Sequence, residues 1–135
     1  MSQQWVWMRS PVPPKCNLAK WEKDHLLAFA DKFVDEHYRP TYIKPPPPEA
    51  RWNYIVDFST RWNGAYLRFI AKYACPGPNA ISPFFELPFA RLGYFRRDVW
   101  NLWARRHNDQ WMELDHNLTL QQCFDRMRED PWFQP

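Results

Sequence analysis

The chain has 135 residues, a formal net charge of +3 and an aromatic content of 19%, with nine Trp and ten Phe. A chain of this size usually forms one domain, because it can bury roughly two thirds of the surface that its unfolded form exposes. Three glycines are too few for a glycine-rich phosphate loop. No apolar run approaches the ~20 residues of a membrane helix, so we expect no membrane partner.

The cysteines and histidines indicate no metal site and no cofactor. Cys16, Cys75 and Cys123 are odd in number, widely spaced and in no Cys-x-x-Cys pair, which argues against a zinc ribbon and a disulfide scaffold. The four histidines show no ligand spacing such as His-x-x-x-His. Free thiols, and a start without a charged leader and apolar stretch, predict a cytoplasmic location and no signal peptide.

The first third of the chain predicts an arm, a helix and a connector. Residues 1–16, which include Trp5 and Trp7, are predicted to form an extended arm before a single domain over 17–135. Asn17 is a suitable N-cap for a helix over 18–38, which Arg39–Pro40 would end. The apolar stripe of this helix has a period of 3.6 and comprises Leu26, Phe29, Ala30, Phe33, Val34 and His37. The connector 40–50 contains four consecutive prolines, typical of a stiff spacer and also of an SH3 or WW ligand.

A β-hairpin opens the predicted sheet over 51–115. Asn63–Gly64 favours a two-residue type I′ turn, which would place Trp62 opposite Ala65. Strand alternation then predicts a buried aromatic face on which Cys75 lies across from Trp52. The other face carries Asp57, with Arg61, Tyr66, Arg68 and Lys72 around it. That polar face is either simply solvated or a binding platform, because Arg and Tyr are typical contact residues.

Residues 84–95 are predicted to form the next strand, at a sheet edge where it starts because Pro88 cannot donate a ladder hydrogen bond. A second hairpin follows, with strands 99–106 and 110–115. A turn at Asn108–Asp109 would place Trp111 on the same face as Trp100 and leave Trp103 on the other.

Both faces of the second hairpin would then be largely apolar, and one of them needs a cover. We expect that cover to be the arm with Trp5 and Trp7, the Trp132–Phe133 tail, or another subunit. Arg105 and Arg106 lie at the far end of the strand from Arg96–Arg97, so the arginines form no single basic stripe.

A short helix over 120–129 completes the chain, with a capping box at Thr119 and Gln122. The predicted fold is therefore α+β: an N-terminal helix, a five-stranded antiparallel meander sheet and a short C-terminal helix.

The last third of the chain resembles a small bacterial α+β domain family of uncharacterised function. The resemblance covers about Leu92 to Phe133. Its residues are Val99-Trp100-Asn101-Leu102-Trp103, Arg105, Trp111 and the helix end Glu129-Asp130-Pro131-Trp132. The family brings no assigned activity, so the resemblance implies only the fold and a bacterial cytosolic origin.

No catalytic motif emerges, and the aromatic-rich sheet favours a non-enzymatic protein-interaction or adaptor module that binds a protein partner or its own copy. Nucleic-acid binding, by rings stacked beside arginine, is the second hypothesis. A small-ligand protein or enzyme with a pocket between the first helix and the sheet is the third. The candidate interaction surface comprises Trp100, Trp103, Trp111, Arg105, Arg106, Arg61, Tyr66, Arg68 and Lys72.

Overall fold

The computed structural model describes residues 17–46, 52–106 and 109–135. The α+β prediction is confirmed: an N-terminal helix precedes a five-stranded antiparallel sheet, and a short helix follows it. The predicted arm 1–16 and part of the proline run lie outside the described residues. The strands hydrogen-bond in chain order and are β1 Tyr54–Asn63, β2 Tyr66–Ala74, β3 Phe84–Arg96, β4 Val99–Arg105 and β5 Trp111–Leu118. In the described part of the chain, no helix is both long and apolar enough to span a membrane.

The first helix begins later and ends later than the sequence predicts. Helix α1 is Lys20–Phe33, and Glu22 accepts a hydrogen bond from the backbone N–H of the N-cap residue Ala19 at 3.1 Å. A π-helical segment, Val34–Tyr38, and helix α2, Arg39–Tyr42, continue the path. The predicted helix end at Arg39–Pro40 is wrong. Helix α2 begins there, directly after the π-helical segment, so Pro40 lies in a first helical turn, where a residue needs no N–H.

The π-helical segment also changes which side chains the helix buries. Ala30, Phe33 and Val34 are buried as expected. Tyr38 is fully buried in place of the predicted His37, because the wider turn rotates the residues after it. Phe29, predicted to be in the stripe, is 48% exposed.

The first hairpin has the predicted faces but not the predicted turn. Asn63 pairs with Tyr66, so the two turn residues are Gly64 and Ala65, and Trp62 lies opposite Leu67 rather than Ala65. Gly64 has φ +60° at the first turn position, as a type II′ turn requires. The side chains keep their faces because this displacement shifts the pairing by two residues. The side chains buried on the core side of the hairpin include Phe58, Thr60, Leu67, Phe69 and Ala71, whereas the buried Ile70 lies on the opposite face.

A β-bulge at Val56 changes the start of β1. The bulge shifts the register between Ile55 and Asp57, which places Ile55 opposite Tyr73 on the core side. Trp52 precedes the strand and is 79% exposed, so its predicted burial opposite Cys75 is wrong. Cys75 lies in the loop after β2, where its backbone N–H donates to Pro83 at 2.8 Å.

The helices and the chain end all pack on one face of the sheet, here called the core face. Helix α3, Leu120–Glu129, has the predicted capping box, in which Thr119 and Gln122 bind each other's backbone N–H. The Phe33 ring stacks on Phe124 at 4.5 Å between centroids. The Tyr38 hydroxyl donates to the Phe133 carbonyl at 3.0 Å. The Trp132–Phe133 tail therefore packs on the core face. The expectation that this tail covers the other face of the second hairpin is wrong.

The second hairpin has a longer loop than a two-residue turn. Arg105 pairs with Trp111, and the backbone N–H of Arg106 donates to Gln110 at 2.7 Å. Trp111 therefore shares a face with Trp103 and not with Trp100, so the predicted faces of β5 are wrong. The start of β3 is an edge as predicted, because β4 pairs with β3 only from Ala90 onward.

The Gly64 turn provides a stability test. We expect Gly64→Ala to lower the free energy of unfolding by about 1 kcal/mol, because an added Cβ contacts nothing within 4 Å but disfavours the positive φ. Gly77→Ala is the matched control: it has the same open space and no positive φ. Urea unfolding should show the control to be neutral or slightly stabilised, and equal losses in both variants would contradict the turn assignment.

The tail provides a second test. Phe133 is fully buried, whereas its neighbour Trp132 is 50% exposed. Phe133→Ala should therefore lower the free energy of unfolding by about 3–5 kcal/mol, while Trp132→Ala should change it by no more than about 1 kcal/mol. Thermal and urea unfolding of both variants measure this difference, and a larger loss for Trp132→Ala would refute the packing of the tail.

Candidate functional site

The second face of the sheet, here called the outer face, has no described helix packed on it. Its centre is a row of directly paired residues that crosses all five strands. Arg61 pairs with Arg68, Arg68 with Arg91, Arg91 with Trp103, and Trp103 with Glu113. Because directly paired residues share a face, three arginine side chains project side by side from neighbouring strands.

Three residues of this row and two neighbouring rings form a compact group, here called the arginine–aromatic cluster: Tyr66, Arg68, Arg91, Trp103 and Trp111. The Arg91 Cζ lies 4.0 Å from the ring centroid of Tyr66 and 4.6 Å from those of Trp103 and Trp111. The Arg68 Cζ lies 5.8 Å from the Trp111 centroid. These are cation–π distances, so the rings and the cations hold each other in place.

The arginines also explain how the outer face excludes water from its tryptophans. Trp103 is only 8% exposed although no described helix covers it. The guanidinium group of Arg91 lies over its ring, with the Cζ 4.6 Å from the ring centroid, and so covers part of it. Arg91 thus covers part of the apolar face for which a cover was expected, whereas the arm 1–16, one of the expected covers, lies outside the described residues.

The charges of the cluster are not balanced by nearby carboxylates. Arg61 binds Glu86 at 2.8 Å, but Arg68 and Arg91 form no ion pair with any carboxylate of the described residues. The Nε atoms of both arginines and the indole Nε1 of Trp103 are buried and have no hydrogen-bond acceptor among the described residues. Burial lowers the pKa of Arg91; Tyr66 opposes this shift, and the charge of Arg68 adds to it. Within the described part of the chain, the cluster is therefore a set of donors and positive charges without an anion.

A groove adjoins the cluster on its β1 side. Its volume is about 380 Å³, and its walls include Arg68, the Arg61–Glu86 ion pair, Ile70 and Pro88. The groove thus combines apolar and charged walls and includes Arg68, one of the two arginines without an ion pair among the described residues.

The structure brings together four of the residues predicted to form an interaction surface: Tyr66, Arg68, Trp103 and Trp111. Arg61 lies in the same row. Arg105 pairs with Trp111 but binds Asp109, and Arg106 is exposed beside the loop.

Two predicted residues lie elsewhere. Lys72 is farther along β2, with its Nζ 4.7 Å from the Phe84 ring centroid. Trp100 is 1% exposed and packs in the core against Tyr94 and Trp62, so its predicted place on an interaction surface is wrong.

Sequence reasoning missed Arg91, the residue at the centre of the cluster. Arg91 is placed by the pairing of β2 with β3, which follows a long loop and contains a bulge at Phe89. A two-residue turn fixes the pairing of its strands, whereas this loop does not. The usable signal was that Arg91 alternates with the buried Ala90 and Leu92.

A larger cavity of about 570 Å³ lies between α1 and the β3–β4 turn, where the third hypothesis places a pocket. Its rings include the exposed Trp21 and the partly exposed Phe29. Its two carboxylates already act as helix caps: Glu22 accepts from Ala19, and Asp98 accepts from the backbone N–H of Leu120 at 2.9 Å. The two carboxylates of this cavity are therefore already engaged in hydrogen bonds that stabilise the fold.

Metal-ligating and nucleophilic side chains are the groups that catalysis at a cavity commonly uses. Among the residues that the structure describes, no group of three or more His, Cys, Asp or Glu is placed to hold a metal ion. Burial raises the pKa of the Cys123 thiol to about 12, so this thiol is protonated at neutral pH and is a poor nucleophile.

Fold and site together define a small α+β domain whose helices leave open a sheet face rich in arginine and aromatic rings. The chain belongs to the family described as Domain of unknown function (DUF3024), which matches residues 18–135. The expected resemblance to an uncharacterised family is thus confirmed, and it extends well beyond the C-terminal third. No curated protein and no solved structure matches the chain.

The unpaired arginines lead to a stability prediction. Arg68 lies directly between Arg61 and Arg91, and like charges in direct pairs are destabilising. We expect Arg68→Gln to raise the free energy of unfolding by roughly 0.2–1 kcal/mol at low salt, and the gain to shrink as added salt screens the charges. Arg96→Gln, which removes the same charge at an exposed position, is the control. A loss of stability in Arg68→Gln alone would contradict an unbalanced cluster.

Proposed function

We propose that this protein is a non-enzymatic interaction module that binds an acidic segment of a partner protein on its outer face. The observation that carries the proposal is the pair of guanidinium groups, on Arg68 and Arg91, that lack an anionic partner among the described residues. Aromatic rings hold these groups in place, and arginine and tryptophan are the residues that most often dominate binding energy at interfaces.

The arrangement favours recognition of anions over stacking of nucleobases. A base that stacks on a protein ring needs a free ring face. Arg91 occupies one face of each of the rings of Tyr66, Trp103 and Trp111, and Trp103 is nearly buried. The guanidinium groups, rather than the rings, are therefore what the cluster offers to a ligand. Nucleic-acid binding is the second hypothesis, and the experiment below includes it as an outcome.

A second copy of the chain is a less suitable partner for this surface. Two outer faces brought together would place the unpaired arginines of one copy against those of the other, and like charges at an interface cost binding energy. A partner with Asp or Glu side chains would instead supply the missing acceptors. Acidic protein segments would thus supply the negative charge that the cluster lacks among the described residues.

The test is fluorescence anisotropy with two labelled probes, an oligoglutamate peptide and an oligothymidylate. We expect the wild-type chain to bind the peptide and Arg68→Gln/Arg91→Gln to weaken that binding by more than about tenfold, because hydrogen bonds to charged groups contribute about 1.5–3 kcal/mol each. The control, Arg96→Gln/Arg97→Gln, has the same net charge as the first double variant because it also loses two arginines. It should bind the peptide almost as tightly as the wild type does.

Three results would overturn the proposal. The first is an absence of peptide binding at low salt. The second is an equal loss in both double variants, which would show a general charge effect. The third is tighter binding of the oligothymidylate with a steep salt dependence, which would support nucleic-acid binding instead.

A further inference from the structure

We infer that the arginine–aromatic cluster binds a phosphorylated side chain within the partner segment, a phosphoryl monoester flanked by polypeptide. This inference rests on the proposed function and specifies its ligand. It follows from the number, the placement and the immobilisation of the charges in the cluster.

The charge of the cluster matches a dianion. Arg68 and Arg91 are a direct pair on neighbouring strands, and both guanidinium groups lie over the same Trp111 ring. A single carboxylate neutralises one of these charges. A phosphoryl monoester carries about −1.5 to −2 charges at pH 7 and three acceptor oxygens, so one such group can neutralise both arginines.

The two arginines differ in how firmly they are held. Arg91 has a ring on three sides, at 4.0, 4.6 and 4.6 Å, so little side-chain entropy remains to be lost when it binds a ligand. Arg68 contacts one ring at 5.8 Å and has more freedom to turn toward an anion. A fixed arginine beside an adaptable one suits a compact oxyanion, and arginine clusters are a recurring means of phosphopeptide recognition.

The carboxylates around the cluster restrict the ligand to a compact anion. Glu113 accepts a hydrogen bond from Asn101 at 2.6 Å, and Glu86 accepts one from Arg61 at 2.8 Å. Glu113 lies in the central row at β5, and Glu86 reaches the β1 end of the row through its ion pair with Arg61, so these two carboxylates flank Arg68 and Arg91. A single phosphoryl group placed on Arg68 and Arg91 avoids both carboxylates.

The groove beside Arg68 provides a place for the polypeptide on one side of the phosphoryl group. Its volume of about 380 Å³ and its contacts from Ile70 and Pro88 suit an apolar side chain. We therefore expect the ligand to be a phosphorylated residue with an apolar neighbour, and we expect free phosphate to bind more weakly than the peptide.

The experiment compares three labelled peptides that share one acidic, leucine-containing background and differ only in a central Ser, Glu or phosphoserine. We expect the phosphoserine peptide to bind wild-type protein at least about tenfold tighter than the Glu peptide. The preference should shrink between about pH 7.5 and pH 5.5, because the phosphoryl group loses its second charge near pH 6. Arg68→Gln should abolish the preference, and Arg96→Gln should retain it.

Inorganic phosphate is the competitor that separates the peptide from the free anion. If phosphate alone competes as well as the unlabelled phosphoserine peptide, the polypeptide is not part of the ligand and the inference is overturned. It is also overturned if the Glu and phosphoserine peptides bind equally, in which case the proposed function stands without it. If no peptide binds, including oligoglutamate, the proposed function fails as well.

Discussion

The contacts of Arg91 with Tyr66, Trp103 and Trp111 complete the sheet on the face that no described helix covers. In a five-stranded meander with its helices on one side, the large rings can be buried on the core face, as Phe33 and Phe124 are. Rings on the outer face need another cover, and here a charged side chain provides it. This cover links the architecture to the proposed ligand, because the guanidinium group that shields the rings forms no ion pair with any described carboxylate.

Such a cover has an energetic cost that a purely structural role would not explain. Arg68 and Arg91 lie side by side, and in the described parts of the chain they have no carboxylate partner and their buried Nε atoms have no acceptor. Leaving a buried donor unsatisfied costs about 1–3 kcal/mol. Functional sites commonly retain unfavourable arrangements that a ligand relieves, and a bound oxyanion would reverse the sign of this contribution. The outer face is thus where the fold gives up stability and where ligand binding would recover it.

The limits of the sequence analysis follow from how each register is fixed. The faces of the first hairpin were predictable because alternation survives a two-residue shift, although Gly64–Ala65 and not Asn63–Gly64 forms the turn. Trp111 was placed on the wrong face because the loop before it is longer than a tight turn. Arg91 was missed because no short turn sets the pairing of β2 with β3. Helix capping at Thr119 is a local signal, so it could be read directly.

The most direct test of an anion-binding outer face is nuclear magnetic resonance of the ¹⁵N-labelled full chain, titrated with the phosphoserine peptide. Its readouts are the indole N–H signals and the arginine Nε–H signals. We expect the signals of Trp103, Trp111, Arg68 and Arg91 to shift together. The Trp100 indole, which is buried on the core face, should remain unchanged. Shifts confined to Trp21 and Trp100, which line the cavity beside α1, would contradict the account.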